Sequence, residues 1–257
     1  MAGRLSGKIA LVTGIGGGIG KGCAMLFARE GATVIGCDIN PQWAETTQSE
    51  AKAEGLTIDS LHPLDLTRPA DVQTFIDHAA KAHGRIDILV NAAAIPPHMG
   101  TTEAMDYETE WTPTMVGEVD IVFLACKAAW PWLKASGRAS VINFASVNAR
   151  RASAVFGMVA HCAGKGAVEA MSRQMAREGG PQGIRVNTIA PGMVVTPATI
   201  MAGAGEDANK AAILSRVPMG RFGQPEDIGW CAVYLASDEA TWVTGANFAI
   251  DGGTMAS

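Results

Sequence analysis

No apolar run in this chain reaches the roughly 18 residues needed to span a bilayer, so no membrane partner is expected. A basic stripe is also missing. Lysine and arginine total 20 against 25 acids, giving a formal net charge of −5. Nucleic-acid binding is therefore disfavoured, because its electrostatic footprint is absent. The five cysteines (Cys23, Cys37, Cys126, Cys162 and Cys231) form no CxxC pair, and they read as small apolar fillers suited to a reducing cytoplasm. Five histidines are scattered without metal-ligand spacing, so no metal site is expected. Basic residues do precede an apolar stretch within 1–15, but the stretch runs into glycines and not into a cleavage site. There is no internal repeat, low-complexity tract or linker. A length of 257 residues suits one α/β domain over 1–257.

What is present begins at Lys8-Ile-Ala-Leu-Val-Thr-Gly-Ile-Gly-Gly-Gly-Ile-Gly20. A short apolar strand empties into a glycine turn, and helical periodicity follows over Lys21–Glu30. That order makes an anion site, since bare N–H groups and the positive end of a helix face whatever approaches the turn. Gly14 can turn tightly, Gly18 lets a pyrophosphate come close, and Gly20 lets helix and strand pack. The spacing Gly-x3-Gly-x-Gly is a variant of the commoner Gly-x-Gly-x-x-Gly. A second strand ends at Asp38, 24 positions after Gly14, the distance at which a carboxylate meets adenosine ribose hydroxyls. A 2′-phosphate would face that charge, and no lysine or arginine follows in Ile39–Trp43, so NAD is favoured over NADP.

Strand-like runs recur at 9–13, 33–37, 57–61, 86–90, 140–144, 185–189 and 248–250. Helical patterns fill most gaps, notably 17–30, 41–54, 69–83, 103–135, 158–178 and 225–236. The alternation predicts a Rossmann-like, doubly wound parallel sheet of about seven strands with helices on both faces. One irregular stretch, roughly 193–216, falls where a substrate lid would sit, beyond a strand's carboxyl end. Pro96, Pro97, His98 and Met99, with Met193, Val194 and Val195, suggest a largely apolar pocket.

Taken together, these residues closely resemble the short-chain dehydrogenase/reductase family over nearly the whole chain. Thr13-Gly-Ile-Gly-Gly-Gly-Ile-Gly20 is similar to its Thr-Gly-x3-Gly-Ile-Gly turn, so the resemblance gives Gly14, Gly18, Ile19 and Gly20 to the cofactor. Asp65-Leu66 matches the acid–aliphatic pair that holds adenine, and Asn91-Ala-Ala-Ala94 sits where Asn-Asn-Ala-Gly is usual. Arg185-Val-Asn-Thr-Ile-Ala-Pro-Gly192 with Thr196 matches the segment lining the nicotinamide, which adds Pro191, Gly192, Val194 and Thr196. Gly220–Asp227 and Asp251-Gly-Gly253 complete the series. The resemblance implies a small-molecule substrate and a homotetramer.

The chain departs from the pattern at the chemistry. The family's Tyr-x3-Lys aligns with His161-Cys-Ala-Gly-Lys165, and its helix asparagine aligns with Glu118. Ser146 matches the catalytic serine, and 15 positions separate it from His161, with Arg150 and Arg151 as extra loop length. These arginines are either ordinary surface charges or a greeting for a carboxylate or sulfonate. His161 and Lys165 are i and i+4, on one helical face. The resemblance gives Lys165 to the cofactor ribose. A like charge at ~5 Å and an effective dielectric near 20 costs about 3 kcal/mol, which favours neutral imidazole and hence a base for alcohol oxidation. If Glu118 reaches the site, its charge offsets that of Lys165. The expected function is hydride transfer between a secondary alcohol or ketone and NAD. The alternatives are a lyase, dehydratase or epimerase moving protons at carbon, and a silent dinucleotide-binding subunit.

Overall fold

Ile9–Thr13 (β1) is buried throughout, and its alternation of side chains feeds two cores at once. Ala10 and Val12 pack on one face of the sheet and Ile9 and Leu11 on the other. The same physics makes strands of Thr33–Cys37 (β2), Ile58–Leu61 (β3), Ile88–Asn91 (β4), Ala139–Phe144 (β5), Ile184–Pro191 (β6) and Asn247–Ile250 (β7). In this computed structural model, which describes residues 3–153 and 155–256, the seven strands form one sheet in the order β3-β2-β1-β4-β5-β6-β7. Every pairing is parallel. The Rossmann-like expectation holds, with β1 and β2 as expected and the other five strands moved at one or both ends by a residue or two.

Helices Gly18–Arg29 (α1), Pro41–Ala53 (α2) and Pro69–His83 (α3) connect the first four strands. Thr112–Met115 (α4), Ile121–Ser136 (α5), Val159–Gly179 (α6), Pro197–Met201 (α7), Asp207–Leu214 (α8) and Pro225–Ala236 (α9) come after β4. One core joins Phe27, Ile228 and Leu235 from α1 and α9 to Val12, Ile142 and Ile189. The other joins Phe75, Leu133 and Val168 from α3, α5 and α6 to Leu11, Leu89 and Val141. Strand order reverses between β1 and β4, so the cleft opens at the carboxyl ends of those strands.

The continuous helix expected over 103–135 is corrected. Residues 103–106 are not helical, and Tyr107–Trp111 and Val116–Asp120 are wide π turns on either side of α4. Pro113 has no N–H to give to the ladder. The Gly117 carbonyl instead accepts from Ile95 N–H at 3.2 Å, and a Cβ at Gly117 would lie 2.5 Å from Ile95 Cβ. The loop after β4 is thus pressed into the helix, and the extra residue per turn rotates the downstream helical face by roughly 100°. The irregular stretch over 193–216 contains α7 and α8. Among the described residues no helix is long and apolar enough to cross a membrane, and no group of three or more metal-ligating side chains comes together.

Candidate active site

The glycine turn between β1 and α1 is built by missing side chains. Gly14 sits at φ +73°, and a Cβ there would lie 2.8 Å from Ala93 Cα. At Gly20 it would lie 2.1 Å from the Gly14 carbonyl oxygen. Gly18, at φ +53°, faces Thr196 Cγ2 at 3.0 Å from the same hypothetical atom. α1 has no side-chain cap and no acid in its first turn, so its N-terminus is a cradle for a negatively charged group. Ile19 lies in the first turn of α1, behind that cradle. The Asp38 carboxylate is pinned at the rim, accepting from Gly16 N–H and Asn40 N–H at 2.8 Å each. The cradle, the helix end and the rim carboxylate fit a dinucleotide.

Farther along, Asp65 is half-buried and accepts from the N–H and hydroxyl of Thr67 at 3.0 and 2.7 Å, while Leu66 is buried in the core. Asn91 turns its side chain into the sheet and not into the cleft. Its amide donates to Asn143 Oδ1 at 2.8 Å and touches Cys126 Sγ at 3.3 Å, while its own Oδ1 has no partner among the described residues. Any contact of Asn91 with a cofactor therefore falls to its backbone, at the end of β4. Pro191 ends β6, and a Cβ at Gly192 would lie 2.8 Å from Asp251 Cα. Val194 is buried and its carbonyl accepts from the Thr199 hydroxyl at 2.7 Å. Thr196 and Thr199 cap α7 reciprocally. That cap fixes Thr196 and Pro197 opposite Gly18 and Gly17, so the start of α7 faces the glycine turn across the cleft.

Four polar side chains converge from three elements. Ser146 follows β5 and caps a short 3-10 turn, its Oγ accepting from Asn148 N–H at 3.1 Å. Lys165 on α6 is buried, and its ammonium donates to the Phe144 carbonyl at 3.3 Å. His161, one helical turn earlier, has Nδ1 at 2.6 Å from Glu118 Oε1. Glu118 is 1 % exposed and comes from the second π turn. Its Oε2 has no partner among the described residues and packs over Gly164, where a Cβ would lie 2.6 Å away. Glu118 therefore does reach the histidine, and only a glycine at 164 leaves it room.

A cavity of about 280 Å³ opens in front of these groups. Ser146 and His161 line it, whereas Glu118 stands behind the ring. Pro96, Pro97, Met99 and Met193 line it as expected, but His98, Val194 and Val195 do not. Phe156 on its wall lies outside every segment the sequence singled out, while Ala198, Ile213 and Arg216 fall within the 193–216 stretch without any motif to mark them, and α8 brings Ile213 over the cavity only through the tertiary fold. The arginine pair is split. Arg150 forks onto the buried carboxylate of Glu169, holding it below the usual carboxylate range, and does not line the cavity. Arg151 lines the cavity and donates to the Thr254 carbonyl. The cysteines are free thiols among the described residues; burial pushes Cys23 and Cys126 up to about 12 and Cys231 to about 11, which makes them inert.

Residues 14–255 match the family model described as enoyl-(acyl carrier protein) reductase. The 2,5-dichloro-2,5-cyclohexadiene-1,4-diol dehydrogenase of Sphingobium indicum is 41% identical over 254 residues, covering 98% of each chain. A short-chain type dehydrogenase/reductase from Mycobacterium marinum superposes with a TM-score of 0.90 at 30% identity, covering 98% of this chain and 97% of the other. A putative NAD(P) dependent gluconate 5-dehydrogenase from Beutenbergia cavernae, solved with NADP bound at low occupancy, also gives a TM-score of 0.90, at 31% identity over 98% of both chains. A family model over nearly the whole chain, a relative matched end to end and the parallel sheet with its glycine turn lead to one conclusion: this chain belongs to the short-chain dehydrogenase/reductase family of nicotinamide-dependent oxidoreductases.

Proposed function

We propose that the protein oxidises a secondary alcohol with NAD, and that the Glu118–His161 pair moves the hydroxyl proton where relatives of the family use a tyrosine. The observation that carries this reading is the 2.6 Å contact between His161 Nδ1 and the buried Glu118. An ionised carboxylate only accepts, so Nδ1 carries the ring proton and Nε2 keeps a lone pair toward the cavity. Bound against the glycine turn, the dinucleotide supplies the hydride acceptor. Nε2 takes the substrate's hydroxyl proton, and the positive charge arising on the ring meets the carboxylate behind it. Ser146 holds the substrate oxygen, its own rotamer fixed by the Asn148 N–H. Lys165, steadied on the Phe144 carbonyl, binds the cofactor ribose. The segment 193–216, with α7 and α8, serves as the substrate lid.

Asp38 supports NAD over NADP, because a 2′-phosphate would have to approach a carboxylate already held in place by Gly16 and Asn40. The double variant Asp38→Ser with Ile39→Arg should shift the NADP/NAD preference by about 100-fold, read from kcat/KM with each cofactor. A homotetramer in the cytoplasm completes this reading, on the strength of the family resemblance; light scattering tests the tetramer. The activity itself is tested by offering a panel of secondary alcohols with NAD⁺ and following reduced nicotinamide. Turnover in the native protein and its loss in His161→Phe is the expected result. Equal turnover in both would remove imidazole from the mechanism, and a product of unchanged oxidation state would move the protein to proton-transfer chemistry.

A further inference from the structure

Ser146 and His161 bring a hydroxyl and an imidazole to one cavity and the buried Glu118 carboxylate backs the ring, which is the set of groups that activates a serine for acyl transfer. We propose that this cavity also hydrolyses small apolar esters through transient acylation of Ser146, without any nicotinamide.

The carboxylate–imidazole half of such a relay is already present. Glu118 is 1 % exposed and holds Nδ1 at 2.6 Å, so the ring is oriented and Nε2 is left as the base, with no partner among the described residues. Ser146 and His161 line the same cavity. The serine oxygen is fixed by an N–H it accepts, at 3.1 Å from Asn148, whereas its own hydrogen meets only a long 3.5 Å contact to Asn148 Oδ1. That proton is therefore not committed to a strong acceptor, and a turn of the hydroxyl toward His161 breaks little. Nucleophile and base often stand apart until a substrate closes the gap. Val155, Phe156, Met158 and Val217 give the cavity an apolar wall suited to a short acyl chain.

The steps balance without an oxidant or reductant. Ser146 Oγ bonds to the ester carbonyl carbon as its proton passes to Nε2. The carbon–oxygen bond to the leaving alcohol then breaks, and the alcohol departs with that proton. Water next bonds to the acyl carbon and gives a proton to Nε2. The Oγ–acyl bond breaks, and that proton returns to the serine.

The test uses p-nitrophenyl acetate and butyrate with the full chain and no nicotinamide, reading p-nitrophenolate release together with peptide mapping of the acid-quenched protein. Acyl mass on the Ser146 peptide, faster release from butyrate, and at least about a 100-fold loss in Ser146→Ala are expected. Glu118→Gln should slow acylation while leaving the adduct on Ser146. Mapping of the native protein decides the question even if a variant fails to fold. An adduct on any other residue, release unchanged in Ser146→Ala, or release no faster than with free imidazole overturns the proposal. Alcohol oxidation requires NAD and ester cleavage does not, so each activity stands or falls separately.

Discussion

The two walls of the cleft are made by opposite means. The β1–α1 turn works through atoms that are absent, since a Cβ at Gly14 or Gly20 would run into backbone 2.8 or 2.1 Å away. The other works through atoms that are present, a carboxylate and an imidazole 2.6 Å apart in space and 43 positions apart in the chain. The first is a rigid mould that fails when anything is added. The second is a charge arrangement that fails when anything is exchanged, while the fold around it stands.

The largest break in that comparison comes from Gly20→Val. With a carbonyl oxygen 2.1 Å from the new Cβ, the turn must open, and NAD affinity should fall by more than about 100-fold in a calorimetric titration, or folded protein should be lost altogether. His161→Phe should do the reverse, binding NAD within about threefold of native while kcat drops by about 10³. Were both substitutions to damage affinity alike, the division between mould and charge would be wrong. Glu118→Gln should lower kcat by about 10², with NAD affinity kept, because the ring loses its orienting anion but not its packing. A rise in KM alone would show that Glu118 only shapes the cavity.

The smallest effect serves as a control away from both walls. Arg221, and then the Gln224 N–H, hold the Asp227 carboxyl down to about 2 from its ordinary 3.8. A depressed folded value contributes stability that is present above about pH 4 and lost as pH falls through about 2. The ion pair is largely solvated, at 55% and 35% side-chain exposure, so Asp227→Asn should lower Tm by about 2 °C or less at pH 7 and by only a small part of that near pH 2. A larger loss would mean that the start of α9 matters to the fold more than its exposure suggests.

The mould is legible in the sequence and the charge arrangement only in part, for physical reasons. Runs such as Ile9–Thr13 and Ala139–Phe144 are buried on both faces, and short β-branched stretches bounded by turns have few other uses. Gly14 and Gly18 occupy left-handed backbone that other residues avoid. A 3.6-residue period, by contrast, cannot display an inserted residue, so the π turns over 107–111 and 116–120 look like ordinary helix in sequence. What aims Glu118 inward is a bond from Ile95 to the Gly117 carbonyl and the bare face of Gly164, both supplied by other segments. The two readings open for Arg150 cannot be separated without its partner, and Glu169 lies 19 residues away on the buried side of α6. The wall residues Ile213 and Arg216 sit in a stretch with no usable periodicity, so only the folded chain shows them facing the cavity.

The central claim is that imidazole, backed by a buried carboxylate, receives the substrate proton. A crystal structure with NAD⁺ and an unreactive alcohol analogue measures it directly. The account predicts His161 Nε2 within about 2.6–3.2 Å of the analogue's oxygen, or one water away, with Nδ1 still on Glu118. A ring swung away from that oxygen, with no water between them, contradicts it.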